Sequence, residues 1–252
     1  MIPRKLSIAH EHQEIAAHSY RLMRPARAIA CVLELSPHEV SRVGIAALLH
    51  DVGKLAIPMS ILCKPGPLSS EEWTIMHRHP EIGNQMLSQA GGDWTGLGPI
   101  VAAHHEHWDG GGYPTGLAKE AIPLEARILS VVDAYDAMTS HRVYRQPFSS
   151  EEAREELERC SGLQFDPRVV AAFLQVLDGQ EPSGHVHFPL GGKHFNGERL
   201  RNLSITRFLV TLAETATLAS VPIDYLVGNR IGFSRKSLLH VGSLHQETSR
   251  YD

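Results

Sequence analysis

The chain has 252 residues, 42% of them hydrophobic and 21% charged, a balance that excludes intrinsic disorder and allows one sizeable core with a small appendage. A formal charge of −4 gives no broad basic surface for a nucleic acid polymer, although bound metal ions can reverse the sign of a site locally. The three cysteines, Cys31, Cys63 and Cys160, form no CxxC pair and suit a reducing cytoplasm; the start of the chain is polar, and no run approaches the ~18 apolar residues of a membrane span.

The pattern is helical almost throughout, punctuated by Pro and Gly. Apolar residues at helical spacing (Ile8, Ile15, Leu22, Ile29, Val32, Leu33) predict a first helix over about 8–34. Ser36-Pro37-His38-Glu39 combines a cap, a first-turn proline and a capping-box glutamate, and opens a second helix that runs through Leu49 into His50-Asp51. A Pro- and Gly-rich loop follows from Ile57 to Leu68. Ser69 and Glu72 form another capping box, opening a helix that reaches His79 before Pro80. Further helices are expected near 81–90, 97–107, 123–140, 149–160 and 167–178, the last opened by Asp166-Pro167.

Composition shifts near Gln180-Glu181-Pro182-Ser183-Gly184. Residues 1–180 carry 16 Lys and Arg against 22 Asp and Glu, whereas the remainder carries 8 against 6. This places a boundary between a unit at 8–180 and an extension at 181–252, Gly-rich at first and then helical from about 198 to 220.

Sixteen histidines are unusual, and their positions matter more than their number. In His50-Asp51, imidazole nitrogen and carboxylate oxygen together suit first-row metals such as Fe, Mn, Zn or Co. A carboxylate has two oxygens and can bridge two ions. Alone, a His-Asp dipeptide is usually incidental; it gains weight from His18, His79, His104, His105 and Asp133, all near the ends or on faces of expected helices. Lys54 follows Asp51 by three residues and shares its face if the helix continues. Glu14 and His18, four residues apart, share a face of the first helix and can converge on one ion. Read alone, that pair is equally an exposed polar couple beside His10, Glu11 and His12, and His104-His105 is equally a solvated helix end. His77 and His107 read as surface residues. Trp108-Asp109-Gly110-Gly111-Gly112-Tyr113-Pro114 cannot be a helix interior. It makes a loop whose backbone can approach a ligand closely, although the bland alternative is an ordinary turn.

The ordered set His18, His50-Asp51-Val52-Gly53-Lys54, Lys64-Pro65-Gly66, His79-Pro80, His104-His105-Glu106, Trp108-Asp109, Gly112-Tyr113-Pro114, Asp133 and Arg142-Val143-Tyr144-Arg145 resembles the HD-GYP family over residues 10–178. The resemblance implies an all-α, HD-domain-like helical bundle with a Gly-rich GYP loop, followed by a small helical C-terminal extension. It implies a metal-dependent phosphodiesterase that hydrolyses cyclic di-GMP to pGpG or GMP through a hydroxide bridged between metals. By motif, Glu14, His18, His50, Asp51, His79, His104, His105 and Asp133 match metal ligands of a centre of two or three divalent ions, Fe or Mn. Asp51 matches the bridging carboxylate, and Glu14 the extra ligand of the trinuclear members. Lys54 matches a residue at the substrate phosphate, with a catalytic role beside Asp51. Gly112, Tyr113, Pro114, Arg142 and Arg145 match substrate-side positions. The family commonly has Ser at Gly111, Asp at His141 and Pro at Val143; none of these departures removes a ligand. The alternatives are a phosphohydrolase for another cyclic dinucleotide and a non-catalytic cyclic di-GMP receptor or interaction module. The expected partners are cyclic di-GMP and either a second copy of the chain or a signalling protein, in the cytoplasm, with no nucleic acid polymer and no membrane span.

Overall fold

The computed structural model describes residues 8–140 and 146–179, with side chains from residue 17 onward. Arg142, Arg145, the boundary at 180, the expected helix at about 198–220 and the side chain of Glu14 therefore lie outside the described residues. Within them the fold is all-α: the only strand-like pairing there is an isolated bridge between Ser161 and Phe165.

Helix α1 spans Ile8–Val32 and buries Leu22, Ala26, Ile29 and Ala30, an i, i+4, i+7, i+8 stripe that is one face of a helix. Helix α2, Pro37–Leu49, begins as its capping box requires. The Ser36 backbone N–H donates to Glu39 Oε2 at 2.8 Å, and the Glu39 N–H donates to Ser36 Oγ at 3.4 Å, a reciprocal cap of the kind worth about 1 kcal/mol. Its apolar stripe, Val40, Val43, Ala46 and Ala47, is buried.

The α-helix does not continue past His50, as the sequence reading allowed. Val52–Ala56 forms a 3-10 turn instead. Its Gly53 packs on the next layer so closely that a Cβ there would sit 2.0 Å from the His79 carbonyl oxygen. A four-residue helix, α3, Met59–Leu62, stands inside the stretch expected to be loop, its Ile61 buried. Helix α4, Ser70–Met76, opens on the Ser69–Glu72 capping box and stops short of His79. His79 instead begins α5, His79–Ala90.

Helix α6 covers only Gly98–Ala102, not 97–107. It ends because the following backbone is recruited by the glycine loop: the Tyr113 N–H donates to the His105 carbonyl at 3.2 Å, an oxygen that a longer helix would keep for itself. The long helix α7, Leu124–Thr139, carries the buried run Ala126, Ile128, Leu129, Val131 and Val132. It packs against α2 and α6, and against α8, Ser150–Arg159, and α9, Pro167–Leu177. Asp166 caps α9 by accepting from the Arg168 N–H at 2.8 Å, with Pro167 in its first turn. The core thus lies around α7, and the chemistry-bearing residues collect where the ends of α2, α5 and α6 meet α1 and α7.

Candidate metal centre

Every expected ligand whose side chain is described comes to one place. His50 closes α2 and Asp51 follows it; His79 opens α5; His104 and His105 stand in the turn after α6; His18 lies on α1 and Asp133 on α7. They form three linked groups: His79, His104 and His105; His50, Asp51 and His104; and His18, His50 and Asp133. In each group the candidate donor atoms lie within 4.8 Å of one another. Asp51 sits between the outer groups. One carboxylate oxygen is 3.3 Å from His50 Nε2 and the other 3.4 Å from His79 Nε2, so its two oxygens face different histidines.

The donor set fits a cation on three observations. First, the Nδ1–H groups of His50, His79 and His104 donate to the carbonyls of Ala47, Met76 and Val101 at 2.8, 2.8 and 2.6 Å. Each ring is thereby fixed with its Nε2 lone pair facing inward, the orientation that an outer hydrogen bond imposes on a ligating imidazole. Second, His79 Nε2 and His104 Nε2 face each other at 3.4 Å; two bare lone pairs at that distance repel unless a cation lies beside them. Third, His50 Nε2 and Asp51 Oδ1 are buried without a hydrogen-bond partner, a condition that costs about 1–3 kcal/mol per atom unless something else satisfies it.

The charge states agree. Burial, joined by neighbouring imidazoles, pushes His105 down to about 3 and His104 well below the ordinary histidine range, and burial takes His79 down to about 4. These rings are neutral and have lone pairs to give. Burial opposes charge on Asp51 and Asp133 too. His50 and Lys54 outweigh it at Asp51, His18 and His50 outweigh it at Asp133, and both carboxyls are held ionised. Two carboxylates beside five imidazoles, with His79, His104 and His105 held neutral and His18 and His50 pushed up by the neighbouring carboxylates, make a hard–borderline donor set suited to first-row divalent ions.

At the edge of the centre, Lys54 Nζ donates to Asp51 Oδ2 at 2.6 Å across the 3-10 turn. The Tyr113 ring stacks on His105 with centroids 4.8 Å apart, and burial lifts its phenol above the ordinary value, so it stays protonated. Two of the three loop glycines are required by geometry. Gly110 has φ of 87°, in the left-handed region, and a Cβ on Gly112 would lie 2.3 Å from the His107 backbone nitrogen. Gly111 is exposed, and a Cβ there would meet only the Asp109 carboxylate, so this position has no such demand.

A family model for the HD domain matches residues 5–169. The chain belongs to the HD-domain family. Among its curated relatives, the cyclic di-GMP phosphodiesterase response regulator RpfG of Xanthomonas campestris is 42% identical over 174 residues, covering 68% of this chain and 46% of the relative. The 3'3'-cGAMP-specific phosphodiesterase 2 of Vibrio cholerae is 39% identical over 167 residues, covering 66% of this chain and 32% of the relative. The chain spans less than half the length of these relatives. The solved structure of an HDG"Y"P protein from Bdellovibrio bacteriovorus aligns with a TM-score of 0.54 at 22% identity, over 66% of this chain and 53% of that one, and so shares its fold. The family resemblance and the all-α bundle expected from the motifs are borne out.

The HD domain also uses residues that the motif reading passed over. Asp136 accepts from His18 Nδ1 at 2.8 Å and is itself gripped by Arg21, whose Nε and Nη2 donate to its two oxygens at 2.8 and 2.9 Å. Hydrogen bonds from its ring nitrogens to Asp133 and Asp136 overcome the burial of His18 and push it up to about 9. The available signal was spacing: Asp136 follows Asp133 by three residues on α7 and shares its face. Glu106, quoted only as part of a motif, is buried and accepts from both the N–H and the hydroxyl of Thr115, at 2.8 and 2.7 Å, tying down the far side of the glycine loop. Trp108 lies under the Arg127 guanidinium, 5.6 Å from its ring centre, and Arg127 is paired with buried Asp166 at 2.6 Å. His77 is exposed as read, yet it stacks on Tyr113 at 4.2 Å; His107 is half-buried rather than on the surface.

Proposed function

We propose that this HD domain is a metal-dependent phosphodiesterase that hydrolyses cyclic di-GMP to pGpG or GMP. The observation that carries the reading is the linked set of histidines and carboxylates around Asp51, with His50 Nε2 and Asp51 Oδ1 buried and partnerless. The names of the curated relatives support the substrate class. His18, His50, Asp51, His79, His104, His105 and Asp133 would hold two divalent ions, Fe or Mn, with Glu14 supplying the ligand for a third. Ions bound there supply an activated water and Lewis-acid polarisation of the phosphate.

The chain's own side chains do the rest. Asp51 joins the two halves of the centre. Lys54, half-exposed beside Asp51, binds a phosphate oxygen, as do Arg142 and Arg145. Gly112, Tyr113 and Pro114 wall the substrate side, where the rigid loop excludes water and orients the dinucleotide. The acidic overall balance is no obstacle, because the cations set the local sign. We place the catalytic unit at 8–180 in the cytoplasm and treat 181–252 as a separate extension; no described helix is long and apolar enough to cross a membrane.

The test is hydrolysis of cyclic di-GMP by anaerobically purified protein, with metal analysis of the same sample. The Vibrio relative's name motivates a second arm with 3'3'-cGAMP; faster turnover of that compound would reassign the substrate. Glu14→Ala should lower the metal content by about one ion per chain if the site is trinuclear, and raise the ratio of pGpG to GMP. Unchanged metal and product ratio would leave Glu14 outside the centre.

A further inference from the structure

One row of rings leads out of the centre and ends in water. His105, a member of the histidine group, stacks on Tyr113 with centroids 4.8 Å apart and planes 24° from parallel. Tyr113 stacks on His77 at 4.2 Å and 25°. His77 meets Trp73, one turn earlier on α4, at 5.2 Å. The indole at the end of the row is 49% exposed.

The packing of α4 does not explain that indole. The helix buries none of its residues. It is held instead by its capping box and by the ion pair between Lys64 and Glu72. An indole left half in water, on a helix that does not need it for cohesion, has its π face available to a flat ligand. Neither Trp73 nor His77 belongs to the donor groups of the centre, and the ring contacts link them to it through Tyr113.

We propose that Trp73 and His77 form a stacking platform for one purine base of the cyclic dinucleotide whose phosphate lies at the metal centre. The inference rests on the phosphodiesterase reading above and adds the residues that grip the base. Aromatic stacking suits a purine because every base has a π face, and losing one such contact weakens binding by about tenfold or more. Trp73 is then a determinant of affinity rather than of the chemical step.

The experiment measures kcat and KM on cyclic di-GMP for the metal-loaded parent and for Trp73→Ala, Trp73→Leu, Trp73→Phe and His77→Ala. Thermal melts of each check folding. Trp73→Ala and Trp73→Leu should raise KM about tenfold or more with a much smaller change in kcat, and Trp73→Phe should recover most of the loss, because it restores a stacking face. His77→Ala should raise KM in the same direction. Rescue by Leu as complete as by Phe would show an apolar contact and overturn the platform. An unchanged KM in Trp73→Ala, with an active parent, would overturn it while leaving the phosphodiesterase reading intact. A parent that loads metal but neither binds nor hydrolyses any cyclic dinucleotide would overturn both.

Discussion

His18 is held from both sides: its Nε2 lies 3.0 Å from Asp133 and its Nδ1 2.8 Å from Asp136. Asp136 is fixed in turn by the two-pronged contact with Arg21. An outer carboxylate of this kind orients the imidazole and raises its basicity as a ligand. Asp136→Ala is therefore expected to weaken metal affinity or activity by about 10–100-fold, with the helices intact. Metal titration with circular dichroism checks it, and unchanged affinity would make Asp136 a surface partner only. The contrast between Asp133 and Asp136 shows what was legible at this scale. Asp133 belongs to an ordered motif set and could be named from spacing. Asp136 shares a helix face with Asp133, but its contacts with His18 and Arg21 join residues 118 and 115 apart, which no local pattern marks; Glu106 holds Thr115, nine residues on, inside the loop.

Among the elements, the turn after α2 sets the geometry of the centre. Gly53 lets the backbone beside Asp51 and Lys54 lie directly on the start of α5, where His79 stands. Gly53→Ala would drive a methyl group into the His79 carbonyl, and the expected loss is about 1–3 kcal/mol or more of stability together with reduced metal content. Gly111→Ser is the matching control. Its side chain meets only Asp109, whose carboxylate can move, and the expected change in stability is within about 0.5 kcal/mol. Chemical denaturation of both variants measures the difference; equal effects would contradict the assignment of the close approach to Gly53. The capping boxes at Ser36 and Ser69 and the Asp166-Pro167 start were readable because caps are local chemistry. The early end of α6 and the short α3 were not. The first is decided by the loop that takes the His105 carbonyl, and the second buries Ile61.

For the whole molecule, the core built around α7 and the centre beside it lie within the described residues, and the composition break at about 180 falls just beyond them. Residues 1–180 are expected to form a soluble unit that still hydrolyses the substrate; a truncation that aggregates or is inactive would show that the extension is needed for packing or for assembly with a second copy. With a formal charge of −4 and with His79, His104 and His105 neutral, the proposed phosphodiesterase would draw its anionic substrate through bound cations and Lys54. The decisive measurement compares the anaerobically purified parent with Asp51→Ala, recording metal per chain, cyclic di-GMP turnover and circular dichroism on the same samples. The expected result is a parent with more than one Fe or Mn per chain that turns over cyclic di-GMP, and a folded variant whose turnover falls by about 1000-fold or more because the carboxylate joining the two halves of the centre is gone. A parent that is folded and active yet free of metal, or an Asp51→Ala protein with near-normal turnover, would contradict it.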